Sequence, residues 1–321
     1  MTYFIILILL FVAELLYFRI ADKFNIIDRP NERSSHSSVT VRGGGIVFYF
    51  SVAIYFIYSG FTSPWFFSGL TLISLVCFID DVRSLSSKFR LLMQLVAITA
   101  MFVEWDLFIM PWYIWILALI LCTGVINAFN FMDGINGITG GYSLVIAASL
   151  CYVNEKVVSF ADTNLMIVLI LSLVVFNFFN FRKKARCFAG DVGSVTVAFI
   201  LLFLIGQLII ETDDFSYLVL LAVYGVDVVM TILHRIKLKE PLMVAHRKHL
   251  YQIMANELKM PHLVVSLVYM VVQTVIIAGY FLTSYRYLYL LGVIVILSAI
   301  YIIFMLKFFR LHMNTKCSVD S

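Results

Sequence analysis

The chain has 321 residues, of which 62% are hydrophobic and only 13% charged, with a formal net charge of +4 and a mean hydropathy of +1.00. Soluble domains carry about 25% charged residues, so this composition excludes a soluble protein and points to one that crosses a membrane. The apolar runs are long and lack the alternating polarity of barrel strands, so they are expected as helices, and no nucleic-acid partner is expected.

The first apolar run, 2–20, has no basic region before it and no small-residue cleavage site, and basic Arg19 stands at its end with Lys23 just beyond, so it is expected as a retained span rather than a signal peptide. The first connection, 21–44, is rich in turn formers and ends in Arg42-Gly43-Gly44-Gly45. Backbone N–H groups of a glycine turn that opens a helix can cradle an anion, and Arg42 and His36 are the side chains there able to pair with phosphate oxygens. Apolar runs follow at 45–58 and 63–79.

The next connection, 80–88, opens on the adjacent carboxylates Asp80 and Asp81, with Lys88 and Arg90 beyond them. Adjacent acids repel unless a cation stands between them. Hard oxygen ligands of this kind suit Mg²⁺, with Mn²⁺ able to take its place, held by carboxylates together with substrate phosphates.

Runs at 89–102 and 111–126 lead into the most informative stretch, 127–137, which contains Asn127, Asn130, Asp133, Gly134, Asn136 and Gly137. Polar groups at membrane level are expensive and usually functional. Amides and a carboxylate spaced three apart are expected on one broad helix face, where they can read the donors and acceptors of a nucleobase.

After runs at 138–152 and 164–179, the connection 180–194 carries a basic cluster, Arg182 to Arg186, suited to anchoring at anionic head groups. It ends in Gly190-Asp191-Val192-Gly193-Ser194, which supplies a third carboxylate flanked by glycines and a second metal-ligand candidate. Runs at 195–210 and 215–233 precede the longest connection, 234–261. There His246, Arg247 and His249 form a cationic group able to grip a diphosphate. The last runs are 262–282 and 288–308. Cys77, Cys122, Cys151, Cys187 and Cys317 have no metal or redox spacing and are expected as small apolar side chains.

This is about eleven spans in one integral membrane domain, 1–321. With the N-terminus outside, every basic side chain except Lys156 and Arg286 falls in the inner connections or the C-terminal tail. Basic residues favour the cytoplasmic side, so the C-terminus and all the polar islands are expected there, in a multi-pass protein of the inner (plasma) membrane.

The order and wording of these motifs resemble one family. Asp80-Asp81, then Asn-x-x-Asn-x-x-Asp-Gly-x-x-Gly, then Gly-Asp-x-Gly-Ser, then a histidine-bearing loop are similar to the polyprenyl-phosphate N-acetylhexosamine-1-phosphate transferases of glycosyltransferase family 4, relatives of the peptidoglycan translocase. The resemblance runs over nearly the whole chain. It implies transfer of an N-acetylhexosamine 1-phosphate from a UDP-sugar to undecaprenyl phosphate, with Mg²⁺, as the first membrane step of O-antigen, capsule or other surface polysaccharide synthesis.

By the same resemblance Asp80 and Asp81 are catalytic, near the metal and the lipid phosphate. Asp191, with Asn130, binds the metal, and Asn127, Asp133, Asn136 and Lys88 bind substrate. A homodimer among membrane lipids is implied as well. Two departures stand out: Asn136 replaces the Asp of many relatives, and His-Arg-Lys-His replaces the translocase's run of histidines, placing the chain nearer the O-antigen and capsule branch. An Asp-motif membrane prenyltransferase would need a second Asp cluster, which is absent. A transporter would need midplane polar groups and repeated helices.

Overall fold

The computed structural model describes residues 1–28, 39–241 and 246–313. All eleven apolar runs are helical: α1 (Thr2–Phe24), α2 (Ile46–Tyr58), α3 (Pro64–Val82), α4 (Ser87–Glu104), α5 (Trp112–Met132), α6 (Ile138–Lys156), α7 (Thr163–Asn180), α8 (Gly190–Thr212), α9 (Ala222–Lys237), α11 (His262–Leu282) and α12 (Arg286–Met313). A 3-10 stretch, Phe215–Leu221, leads into α9, and a short α10 (Leu250–Gln252) runs into a π turn, Ile253–Glu257.

Eight of these helices are long and apolar enough to cross a membrane, counting the 3-10 lead with α9. The other three are α2, which is apolar but has only 13 residues, and the more polar α4 and α6. The chain is an all-α, multi-pass membrane protein.

Many of the motif residues lie on helix ends, while Asp133 to Gly137 stay in the connection between α5 and α6. Asp80 and Asp81 sit in the last turn of α3, Asn127 and Asn130 in the last turns of α5, and Gly190 to Ser194 open α8. The helices continue through these polar residues because their side chains find partners on neighbouring helix ends.

The most enclosed helix is α8, with 78% of its span buried; it packs against α2, α3 and α5. Between membrane helices, close packing supplies most of the attraction. Phe66 of α3 stacks on Phe203 of α8 with ring centroids 3.8 Å apart, and Ser74 and Thr196 share a buried hydrogen bond at 2.8 Å. On the other flank Tyr142 of α6 stacks on Tyr224 of α9 at 3.7 Å. Gln273 of α11 accepts from Tyr142 Oη at 2.8 Å and donates to the Val219 carbonyl at 2.9 Å, so it holds the junction where the 3-10 stretch becomes α9.

A small backbone clamp ties the start of α2 to the start of α8. Strands β1 (Ile27–Asp28) and β2 (Thr40–Val41) pair antiparallel. Beyond them Phe188 N–H donates to the Val41 carbonyl at 2.8 Å, and Gly44 N–H donates to the Phe188 carbonyl at 2.9 Å. A Cβ on Gly45 would lie 2.2 Å from Gly193 Cα, so the two helix starts touch backbone to backbone and tolerate only glycine.

Candidate active site

Two helix ends, of α3 and α8, bring three carboxylates together. Asp81, with its side chain fully buried, pairs with Arg42 Nε at 2.7 Å, and Asp191 lies 3.5 Å from the same guanidinium. A second guanidinium, Arg90, bridges Asp80 at 3.0 Å and Asp191 at 2.9 Å. Asp80 also accepts the Leu85 N–H at 2.6 Å. Asn130 donates from Nδ2 to Asp191 at 3.1 Å and to Ser194 Oγ at 3.3 Å.

A cavity of about 230 Å³ opens against this cluster, with Arg42, Asn130, Asp133 and Asp191 on its wall together with Asp28, Asn136, Asn180, Gln252 and His262. Asp80 and Asp81 stand behind that wall, whereas the Asp191 side chain is 19% exposed. Half-buried at the cavity, Asp133 is pushed up to about 7 by desolvation. Its hydrogen bond from Thr139 at 2.6 Å works against that rise, and the charges of Asp191 and Asp81 add to it. For Arg42 burial is the largest influence and works downward, yet Asp81, Asp191 and Asp28 outweigh it and lift the guanidinium above its usual range. Arg42 is therefore a permanent cation on the cavity wall.

Asn136 is 95% buried, the complement of its 5% exposure, and lines the cavity. Its Nδ2 donates to the Arg182 carbonyl at 2.8 Å, and its Oδ1 is a buried acceptor with no partner among the described residues. An orphaned buried acceptor is costly and marks where a ligand donor fits. Asn180 supports this turn, accepting from Gly137 N–H at 2.7 Å and donating to the Cys187 carbonyl at 2.8 Å.

Other expected residues lie elsewhere. Asn127 turns toward α4, donating to the Thr123 carbonyl at 2.8 Å and to Gln94 Oε1 at 3.3 Å. At 3.6 residues per turn, positions 127 and 133 point about 120° apart, so only Asn130 and Asp133 share the cavity. Lys88 is exposed on the first turn of α4, and the cation that reaches the carboxylates from that helix is Arg90, two residues on. Ser86 caps α4 by accepting Phe89 N–H at 3.3 Å, which sets the register that turns Arg90 inward. His36 lies outside the described residues.

The histidine loop borders the site through its short helix. His249 is 2% exposed, with Nδ1 3.3 Å from Asp227 Oδ1, and the same carboxylate accepts Leu250 N–H at 3.1 Å and Tyr269 Oη at 2.6 Å. Tyr251 Oη donates to the Phe131 carbonyl at 2.9 Å, locking the loop onto the end of α5. His246 is not the cation expected from sequence: burial first, then His249, Arg235 and Lys248, hold it down to about 3. Among the described cavity residues this loop contributes Gln252, while His246, Arg247 and His249 stand outside the wall.

The donor set at the cavity is carboxylate and amide oxygen, the chemistry of a Mg²⁺ or Mn²⁺ site completed by substrate phosphates and water. Among the described residues no three Asp, Glu, His or Cys side chains stand close enough to hold an ion unaided. The guanidinium groups of Arg42 and Arg90 lie between the acids instead.

Residues 63–209 match the family model described as glycosyl transferase family 4, a stretch holding all three clustered carboxylates, Asn130 and Asp133, but neither Arg42 nor the histidine loop. The chain is 27% identical over 254 residues to the probable undecaprenyl-phosphate N-acetylglucosaminyl 1-phosphate transferase of Bacillus subtilis (strain 168), covering 73% of this chain and 70% of that protein. It is 28% identical over 218 residues, 62% of this chain and 58% of the relative, to the undecaprenyl-phosphate alpha-N-acetylglucosaminyl 1-phosphate transferase of Yersinia pestis. Against the protein of that name in Escherichia coli (strain K12) it is 27% identical over 227 residues, 63% of this chain and 60% of the relative.

Proposed function

We propose, from the premise that this chain belongs to glycosyl transferase family 4, that it transfers an N-acetylhexosamine 1-phosphate from a UDP-sugar to undecaprenyl phosphate, releasing UMP. The observation that carries this reading is the convergence of Asp191, Asn130, Asp133 and Arg42 on one wall of a polar cavity in an otherwise apolar bundle. The relatives' names support undecaprenyl phosphate as the acceptor and N-acetylglucosamine among the sugars. The product begins O-antigen, capsule or another surface polysaccharide.

A phosphate monoester has a second pKa near 6, so the lipid phosphate is largely dianionic at neutral pH and needs little help from a base. One of its oxygens attacks the β-phosphorus of the UDP-sugar, forming the new P–O bond as the bond to the α-phosphate breaks and UMP leaves. The barrier is the approach of two anions, and charge already in place at the site lowers it. Arg42 presents a fixed cation to the phosphates from the cavity wall, and Arg90, paired with Asp80 and Asp191, adds positive charge behind Asp191. Bound by Asp191 and Asn130, Mg²⁺ or Mn²⁺ would supply further charge neutralisation at the diphosphate. Asn136 Oδ1 and Asp133 offer acceptors to the donor substrate.

Direct attack is favoured over an aspartyl phosphate at Asp81, because both its oxygens are occupied by backbone N–H groups and Arg42. All eleven helices span the inner (plasma) membrane in this reading, with the N-terminus outside and the site cytoplasmic. The placement of the basic side chains supports this. The test is transfer of label from a UDP-[¹⁴C]-N-acetylhexosamine into lipid-extractable product by purified protein. No labelled lipid from any donor, in folded protein given undecaprenyl phosphate and Mg²⁺, would overturn the reading.

A further inference from the structure

A second cavity, of about 430 Å³, lies apart from the polar one and shares none of its lining residues. It is a groove between the C-terminal halves of α9 and α12, walled by Met230 and Leu233 on one side and by Tyr301, Ile302, Met305 and Leu306 on the other. Leu233, Ile302 and Leu306 are 53%, 48% and 75% exposed, so the groove opens on the outer surface of the bundle. Both walls belong to helices apolar enough to cross a membrane. Its volume falls within the roughly 300–1,000 Å³ of ligand sites, and on a bilayer-facing surface such a groove fills with hydrocarbon rather than water.

Lys237 brings positive charge to the polar end of the groove, with His234 beside it as a hydrogen-bonding group, and the exposed Lys307 adjoins Leu306 on the opposite wall. Among the described residues no Asp or Glu lines it. Lysines at helix ends lay their stems along apolar surface and present the ammonium to anionic head groups. We infer that this groove binds one anionic phospholipid of the surrounding bilayer, its phosphate at Lys237 and His234 and an acyl chain between α9 and α12.

The occupied groove bears on the histidine loop. Tyr301 Oη lies 3.0 Å from Thr231 Oγ1, which donates at 3.2 Å to Asp227, the carboxylate that holds His249 and Leu250 N–H. Tyr301 and Met305 also pack with Ile253 in one small apolar cluster. A lipid that keeps α12 seated on α9 therefore steadies the segment 249–257. The inference stands on the groove alone and is independent of the transferase reading.

Native mass spectrometry of the full chain, released from nanodiscs of equal phosphatidylglycerol and phosphatidylcholine, tests it. One phosphatidylglycerol retained per chain is expected. Lys237→Glu, which reverses the charge at the mouth, should lower occupancy roughly tenfold, and Leu233→Trp, which fills the groove, should do the same in protein with unchanged thermal unfolding. Amide exchange over 249–257 should quicken in phosphatidylcholine alone. Three results overturn the proposal: equal retention of both lipids by the unaltered chain, undiminished phosphatidylglycerol in both variants, or its one-for-one displacement by undecaprenyl phosphate, which would give the groove to the acceptor.

Discussion

The carboxylate of Asp81 caps the helix that carries Asp191: its Oδ1 accepts Asp191 N–H at 3.0 Å and its Oδ2 accepts Val192 N–H at 2.9 Å. One acid of the Asp80-Asp81 pair thus fixes, through two backbone bonds and the shared Arg42, where the most exposed of the three clustered carboxylates stands. A negative charge at a helix N-terminus also meets the favourable end of the helix dipole. The pair and the later Asp act as one unit.

Asp81→Ala and Asp191→Asn should therefore fail differently. Losing Asp81 uncaps α8 and leaves Arg42 without its nearest partner, at a cost of about 2 kcal/mol in stability. Asp191→Asn keeps a similar shape at a more open position. Activity should fall at least ~10²-fold in both, but only the first should lower the thermal unfolding midpoint in detergent clearly.

Gly190 has a φ of +71°, and a Cβ there would lie 2.5 Å from Asp81 Oδ2. Gly190→Ala combines backbone strain with a clash at the cap, and should destabilise by about 1–3 kcal/mol. Thermal unfolding beside an activity assay checks this; an unaltered midpoint with full activity would contradict the placement of the α3 and α8 ends.

Arg90 bridges two carboxylates, whereas Lys88 is exposed. Arg90→Ala should reduce turnover by ~10²-fold or more, and Arg90→Lys should recover only part of it, because a point charge cannot reproduce a planar fork. Lys88→Ala should stay within about threefold of the parent, as surface changes usually do. Steady-state kinetics on the three variants decides between them.

The orphaned Asn136 Oδ1 is expected to take a donor from the nucleotide sugar. Asn136→Ala should raise KM for the UDP-sugar about tenfold while KM for the lipid stays unchanged. A rise confined to the lipid would move Asn136 to the acceptor side of the cavity.

His246, held down to about 3 in the folded chain, is neutral at physiological pH. The unfolded chain takes up this proton near pH 6.5. Between those values the unfolded state binds more protons, so stability rises with pH there and is lost as pH falls below about 6.5. Thermal unfolding from pH 7 to pH 5 should therefore fall more steeply in the parent than in His246→Gln.

The helices were legible because an apolar run of span length has few other solutions, and all eleven runs are helical. Asp133, Asn130, Asp191 and Arg42 were legible as polar residues with no reason to sit in an apolar chain except at a site. What sequence could not give was direction around a helix end. Asn127 and Lys88 have the right chemistry and the wrong azimuth, while Arg90 has both, set by the Ser86 cap. Asp227, Tyr269 and Asn180 were missed because their partners are distant in sequence and their role is to hold His249 and the Gly137 turn. The loss of charge at His246 follows from burial, which the loop's cationic wording conceals.

The most direct measurement is UMP release by purified protein given undecaprenyl phosphate, Mg²⁺ and each UDP-N-acetylhexosamine in turn, beside Asp191→Asn. Release that requires both lipid and metal, and that disappears in the variant, is the expected result. Release that persists in folded Asp191→Asn, or proceeds without the lipid, would contradict a transferase centred on this carboxylate cluster.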